Sequence, residues 1–140
     1  MHYLKRILCL LIITLFISCN SNNGIQGKWI HKRDNGIKIL LNFHKNNELN
    51  YEVFRGEYNI TDEVFRLKKE YRKVLYEYDE NTKPKSLDYV VYNLVDSSRK
   101  KMFGIVRFIS TDSIEIKTSI FPNRPTFFNT NNPEIFTRID

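Results

Sequence analysis

The sequence predicts an all-β fold, an antiparallel up-and-down barrel of about eight strands. Three observations carry this. Short β-branched and aromatic runs recur at roughly ten-residue spacing, polar turn residues punctuate them, and within each run apolar residues alternate with polar ones. Asp34-Asn35-Gly36 separates Trp29–Arg33 from the alternating Ile37, Ile39, Leu41 and Phe43. Asn-Gly tolerates the positive φ of a tight hairpin, which makes this the best-defined turn in the chain. His44 to Glu48 is a second polar break before Leu49, Tyr51 and Val53. Gly56 then reads as a bulge, and Tyr58 and Ile60 lead to Thr61-Asp62. Further along come a break at Asn81–Ser86 containing Pro84, a strand over Asp88–Val95, a tip at Asp96–Lys101 and a strand over Met102–Ile109. Thr111-Asp112 turns the chain into Ile114 and Ile116, and Phe136 and Ile139 close it.

Residues 62–79 support two readings. Val64, Leu67, Tyr71, Val74 and Tyr78 lie three and four apart, a helical stripe with Thr61 as N-cap, and this gives an α+β alternative with one helix in 62–79. Phe65, Leu75 and Tyr76 fall off that stripe, and Asp79-Glu80 would place negative charge at the unfavourable end of the helix dipole. Alternation of Phe65 with Leu67, and of Val74, Tyr76 and Tyr78, favours strands with a turn near Lys69-Glu70.

The N-terminus carries an address. Lys5 and Arg6 form a basic n-region, and Ile7–Ile17 is apolar except for Thr14. Those eleven residues would span about 16 Å as a helix, against about 30 Å of hydrocarbon, so a cleaved signal is expected rather than a membrane-spanning helix. Phe16-Ile17-Ser18-Cys19 resembles the lipobox of bacterial lipoproteins. The resemblance implies a signal peptide over residues 1–18, acylation of Cys19, and a tether over 19–24 ahead of a domain at 25–140. It places the protein in the cell envelope, on a bacterial membrane (the outer one favoured), facing periplasm or exterior. Two or more acyl chains hold a protein on a bilayer at about 0.8 kcal/mol per buried CH₂.

Composition narrows the function classes. The chain has two cysteines, Cys9 in the leader and Cys19, so processing leaves no thiol for a disulfide, a nucleophile or a metal. The net charge of +6 falls to +4 once Lys5 and Arg6 are gone. The remaining basic runs, Lys68–Lys73 and Arg99–Lys101, read as a solvated face and a hairpin tip, and no nucleic-acid partner is expected. Contact with anionic headgroups near the anchor is the alternative for these cations. His31 and His44 lack a spaced carboxylate motif, Asp62-Glu63 and Asp79-Glu80 sit in predicted turns, and Ser97-Ser98 lacks a nucleophile-elbow context. No catalytic residue, cofactor or metal is expected, and the protein is read as a non-enzyme.

Gly27-Lys28-Trp29 in the first strand and Arg138 near the end of the last resemble the lipocalin (calycin) arrangement, as does Arg124–Phe128 in small bacterial lipocalin-like domains. The resemblance implies that Gly27, Trp29 and Arg138 close one barrel end, the guanidinium stacking over the indole. Without it, Trp29 reads as a core aromatic and Arg138 as a surface charge. With 10 Phe and 8 Tyr in the chain, rings turned inward could fill the barrel or line a cavity. Tyr76, Tyr78, Tyr89 and Tyr92 are the candidate cavity walls. The Asn- and Pro-rich Phe121–Pro133 segment would cap the mouth or present a contact surface. The function this suggests is non-catalytic binding of a small apolar or amphipathic ligand. The alternative is a protein-binding lipoprotein of inhibitor or immunity type, acting through Phe121–Pro133 and Arg99–Lys101.

Overall fold

The computed structural model describes residues 24–119, 121–129 and 131–139. The leader and Cys19 lie outside them. Nine strands form one curled antiparallel sheet, a half-barrel: β1 (Gly27–Lys32), β2 (Ile37–Phe43), β3 (Leu49–Arg55), β4 (Tyr58–Asn59), β5 (Arg72–Asp79), β6 (Lys85–Asn93), β7 (Arg99–Ser110), β8 (Ser113–Ser119) and β9 (Ile135–Arg138). The order is β4-β3-β2-β1-β9-β8-β7-β6-β5, so the last strand pairs with the first and the break falls between β4 and β5.

The hairpins form where turn chemistry allows. Gly36 has φ +79° and its N–H donates to the Arg33 carbonyl at 3.1 Å, which fixes Lys32 opposite Lys38. Asn47, at φ 64°, turns the β2–β3 connection. Gly56, at φ +61°, lies in the β3–β4 turn rather than in a bulge. At Gly104 the sheet itself demands glycine, because a Cβ there would overlap the Leu87 carbonyl oxygen of the neighbouring strand.

Residues 62–79 divide between the two readings. Thr61–Phe65 forms one short helix, α1, and Lys69–Tyr71 a 3₁₀ turn, while Arg72–Asp79 is strand β5. Phe65 and Leu67 are therefore not in a strand, and the helical stripe ends after a single turn. Thr61 is the first residue of α1, not its cap. Its hydroxyl oxygen instead accepts the Val53 N–H at 2.9 Å, occupying the edge of β3 next to the Phe54–Asn59 pair, where the pairing of β4 with β3 ends. Arg72 fastens the segment, donating to Asp62 at 2.6 Å and to the Leu67 carbonyl, with its guanidinium 4.8 Å from the Phe65 ring centroid.

Strand alternation sends one set of side chains to the concave face. Trp29, Leu41, Phe43, Leu49, Tyr76 and Leu87 are buried there with Val106, Ile114, Ile116 and Phe136. The edges of the sheet meet at one end only: Glu48 bridges Leu75, the Tyr76 N–H donates to Asn47 O at 2.9 Å, and the Tyr76 hydroxyl donates to His44 O at 2.7 Å. At the other end β3 and β5 diverge, and α1 with its following residues crosses the gap. The described chain enters at the closed end, where Arg138 donates to the carbonyls of Gln26 at 2.7 Å and Gly24 at 3.3 Å.

Candidate functional site

Divergence of the sheet edges leaves a cavity of about 440 Å³ at the open end of the concave face. Tyr51 of β3, Phe65 and Leu67, Tyr89 and Val91 of β6 and Met102 of β7 form its apolar wall, and Asn93, Ser98, Arg99 and Lys100 its polar rim. The volume lies within the range of small-molecule sites. Tyr51 is held edge-on to Phe65, ring centroids 5.3 Å apart, and to Tyr89 at 6.1 Å. Tyr51 also lines a second, more polar cleft with His31, Arg33, Lys117, Asn132 and Glu134, between the β1–β2 hairpin tip and the start of β9. There Arg33 pairs with Glu134, and the His31 ring meets Ile135 O at 2.7 Å through Nδ1.

Both tyrosine hydroxyls stay protonated across the physiological range. Burial pushes Tyr51 up to about 12, with Glu134 adding to the shift and Arg33 opposing it. Burial, the Tyr51 neighbour and Glu134 push Tyr89 well above the ordinary tyrosine value. Tyr89 is 2% exposed, and its hydroxyl is the buried side-chain polar atom without a hydrogen-bond partner among the described residues. Such groups are few in native proteins, because each forfeits its hydration for nothing in return.

The residues singled out from sequence are dispersed. Of the four tyrosines, Tyr89 lines the cavity. Tyr76 and Tyr78 belong to the concave core nearer the closed end, Tyr76 buried and Tyr78 half-buried. Tyr92 alternates to the convex face, opposite Arg99 and Lys73. Tyr51, Phe65, Val91 and Met102 carried no separate signal, since their convergence depends on how far β3 and β5 splay. Trp29 is fully buried and donates through Nε1 to Ile25 O at 2.9 Å, and the Arg138 guanidinium carbon lies 4.1 Å from its ring centroid. Gly27 sits two residues earlier in β1, opposite Phe43.

The described residues of the Phe121–Pro133 segment form a strap on the convex face of β6–β8. Arg124 grips Asp88 with two nitrogens, at 2.5 and 2.8 Å, and donates to Gly104 O at 2.8 Å. Lys117 reaches Phe127 O at 3.0 Å and Asn129 at 2.8 Å, and lies 4.2 Å from the Phe127 ring centroid. Arg107 pairs with buried Glu115 at 2.5 Å and stacks 4.6 Å from Phe128. Arg99–Lys101 begins β7 rather than forming a loop tip, and Lys101 turns to Glu77 and to Asp88 at 3.2 Å.

Among the described residues no three His, Cys, Asp or Glu side chains converge as metal ligands, and no helix is long and apolar enough to cross a membrane. No family model, curated protein or solved structure matches the chain. What stands established is the class of fold: among the described residues, an antiparallel half-barrel of nine strands.

Proposed function

We propose that the protein is a non-catalytic carrier or sensor that binds a small apolar or amphipathic molecule in the open-end cavity, while anchored to a bacterial membrane through a lipid on Cys19. The observation that carries this is the apolar wall of that cavity, where Tyr51, Phe65, Leu67, Val91 and Met102 converge as the sheet edges splay. Arg99 and Lys100 at the rim suit a ligand with a polar or anionic end. The Phe16–Cys19 pattern supports the anchor, and the lipocalin-like placement of Trp29 and Arg138 agrees with a barrel closed at one end.

Replacing Cys19 by Ser is expected to move the protein from the membrane fraction to the soluble one. Retention in the membrane after leader removal would exclude the lipid anchor. Native mass spectrometry of that variant, purified gently from its own host, is expected to show a mass increment lost on denaturation. Val91→Glu, which puts a charge in the cavity wall, should abolish the increment with the circular dichroism unchanged. A bare protein mass would exclude a retained ligand.

The second reading is a protein partner on the strap. Phe121 and Phe127 are 70% and 68% exposed, and such rings at an ordered surface commonly anchor interfaces. A stoichiometric second polypeptide in the same spectra, lost on Phe127→Ala, would favour it.

A further inference from the structure

Two hairpin tips of this sheet are polar, as turns through water usually are: Asp34-Asn35-Gly36 joins β1 to β2, and Lys45-Asn46-Asn47 joins β2 to β3. The β6–β7 tip departs from that rule with Leu94 and Val95, 58% and 70% exposed. This tip is tightly built. The Val95 N–H donates to Asn93 Oδ1 at 2.9 Å, the Ser98 N–H to Asp96 Oδ1 at 2.9 Å, and the Leu94 N–H to the Tyr71 carbonyl at 2.8 Å. The fold thus holds two apolar side chains out in water, and the last bond brings exposed Tyr71 to the same place. Asn93 and Ser98 of this hairpin line the cavity together with exposed Val64 of α1, so the apolar tip stands at the cavity mouth. Exposed apolar surface gathered in this way marks a contact site.

The charges around the tip say what it contacts. Arg66, Lys68 and Lys69 lie between Val64 and Tyr71, and Arg99 and Lys100 follow the tip. None of these five cations forms an ion pair among the described residues. They outnumber the acids beside them, Glu63, Glu70 and Asp96, since Asp62 is taken by Arg72. On the strap, by contrast, Arg107 and Arg124 are tied to Glu115 and Asp88. An apolar tip collared by long, unpaired cationic side chains matches the two layers of an anionic membrane surface. Apolar groups enter the acyl boundary, and Lys and Arg reach the phosphates. We propose that the cavity mouth docks on an anionic phospholipid bilayer, with Leu94 and Val95 entering the interface and Tyr71 at headgroup level. Gly24, where the described chain begins, lies at the opposite, closed end, so this contact is separate from any anchor at Cys19. Docking sets the cavity against the lipid, and an apolar ligand then passes between them without crossing water. That passage rests on the cavity being a binding site, as argued above; docking itself does not.

The test uses the Cys19→Ser chain with its leader removed, so that neither an acyl anchor nor the leader contributes. It is floated with vesicles of phosphatidylglycerol and phosphatidylethanolamine, or of phosphatidylcholine alone. Binding to the anionic vesicles is expected to exceed binding to the neutral ones by about tenfold, and to fall in about 0.5 M NaCl. Leu94→Asp with Val95→Asp should bring it down to the neutral level with the melting temperature unchanged, since both side chains are exposed. Lys68→Glu with Lys69→Glu should weaken it by about tenfold. Absence of binding to anionic vesicles, or binding that survives the Leu94 and Val95 substitutions, would overturn the proposal. So would a second polypeptide, or a second copy of this chain, held in place of vesicles and released by those substitutions. Uptake of N-phenyl-1-naphthylamine, a fluorescent apolar probe, reads the cavity separately. Dye uptake without vesicle binding overturns docking and leaves the cavity reading standing; vesicle binding without dye uptake does the reverse.

Discussion

Trp29→Ala is expected to be the most damaging single substitution in the described chain, lowering stability by about 4 kcal/mol in chemical denaturation. Removal of a fully buried aromatic costs about 3–5 kcal/mol, as lost transfer energy and a residual cavity. Trp29 also holds two other groups in place. Its Nε1–H satisfies the Ile25 carbonyl, and its face receives the Arg138 guanidinium, which in turn bonds the carbonyls of Gln26 and Gly24. Loss of the ring therefore loosens the chain entry at residues 24–27 along with the core. Trp29→Phe should recover about half of the loss, since it keeps an apolar ring but not the indole N–H. A loss under about 1 kcal/mol for Trp29→Ala would show that the closed end is not packed around this ring.

Asp88→Ala is expected to cost about 3 kcal/mol and to free the strap. Asp88 is 2% exposed on the convex face, and its carboxylate takes both terminal nitrogens of Arg124, the Gly104 N–H at 3.2 Å and Lys101. Burial raises its pKa, yet the bond from Arg124, with help from Gly104 and Lys101, outweighs burial and leaves it below the ordinary aspartate value. Breaking one side of a buried ion pair is costly because the other charge stays desolvated. Arg124 is only half-buried, so part of that penalty is relieved by water.

The depressed pKa fixes the sign of the pH dependence. The stabilisation from Asp88 is complete above the unfolded-state value near pH 4 and is lost as pH falls through the lower folded-state value. Melting temperature should therefore drop on acidification below about pH 4, and Asp88→Asn should flatten that part of the profile while lowering stability near neutrality. Limited proteolysis reads the strap directly: cleavage within residues 121–133 is expected to accelerate in the variant. An unchanged acid profile and cleavage rate would show that the strap is held elsewhere.

Much of the architecture is legible in the sequence because it depends on local chemistry. Asn35-Gly36 permits one turn geometry and sets the register of Ile39, Leu41 and Phe43, and a one-residue slip would turn all three to solvent. The same logic marks Val74, Tyr76 and Tyr78 as one face of β5. Residues 61–71 are less legible because helical and strand spacing compete there, and the outcome depends on side-chain bonds that neither spacing encodes: Val53 to Thr61, and Arg72 to Asp62 and Leu67. The cavity is the least legible part. Tyr89 and Tyr92 are both aromatic residues on one strand, and only the parity of β6 separates the concave face from the convex one. Arg124 and Asp88 lie 36 residues apart, without a motif to join them, so the strap's attachment has no local trace.

The position of β9 has a consequence for the order of assembly. Strands β1–β4 form one set of neighbours and β5–β8 another, and in the ladder the two sets are joined through Ile135–Arg138, with only the Glu48–Leu75 bridge besides. Each set can zip up from its own hairpins, since those closures are short. Their union needs β9 to span both at once, a long-range closure that comes late and slowly. Until then each meander carries an unpaired edge, at β1 and at β8, open to pairing with another chain. Completion of the sheet is thus set by Ile135–Arg138, which act as the keystone between two halves that are otherwise ready.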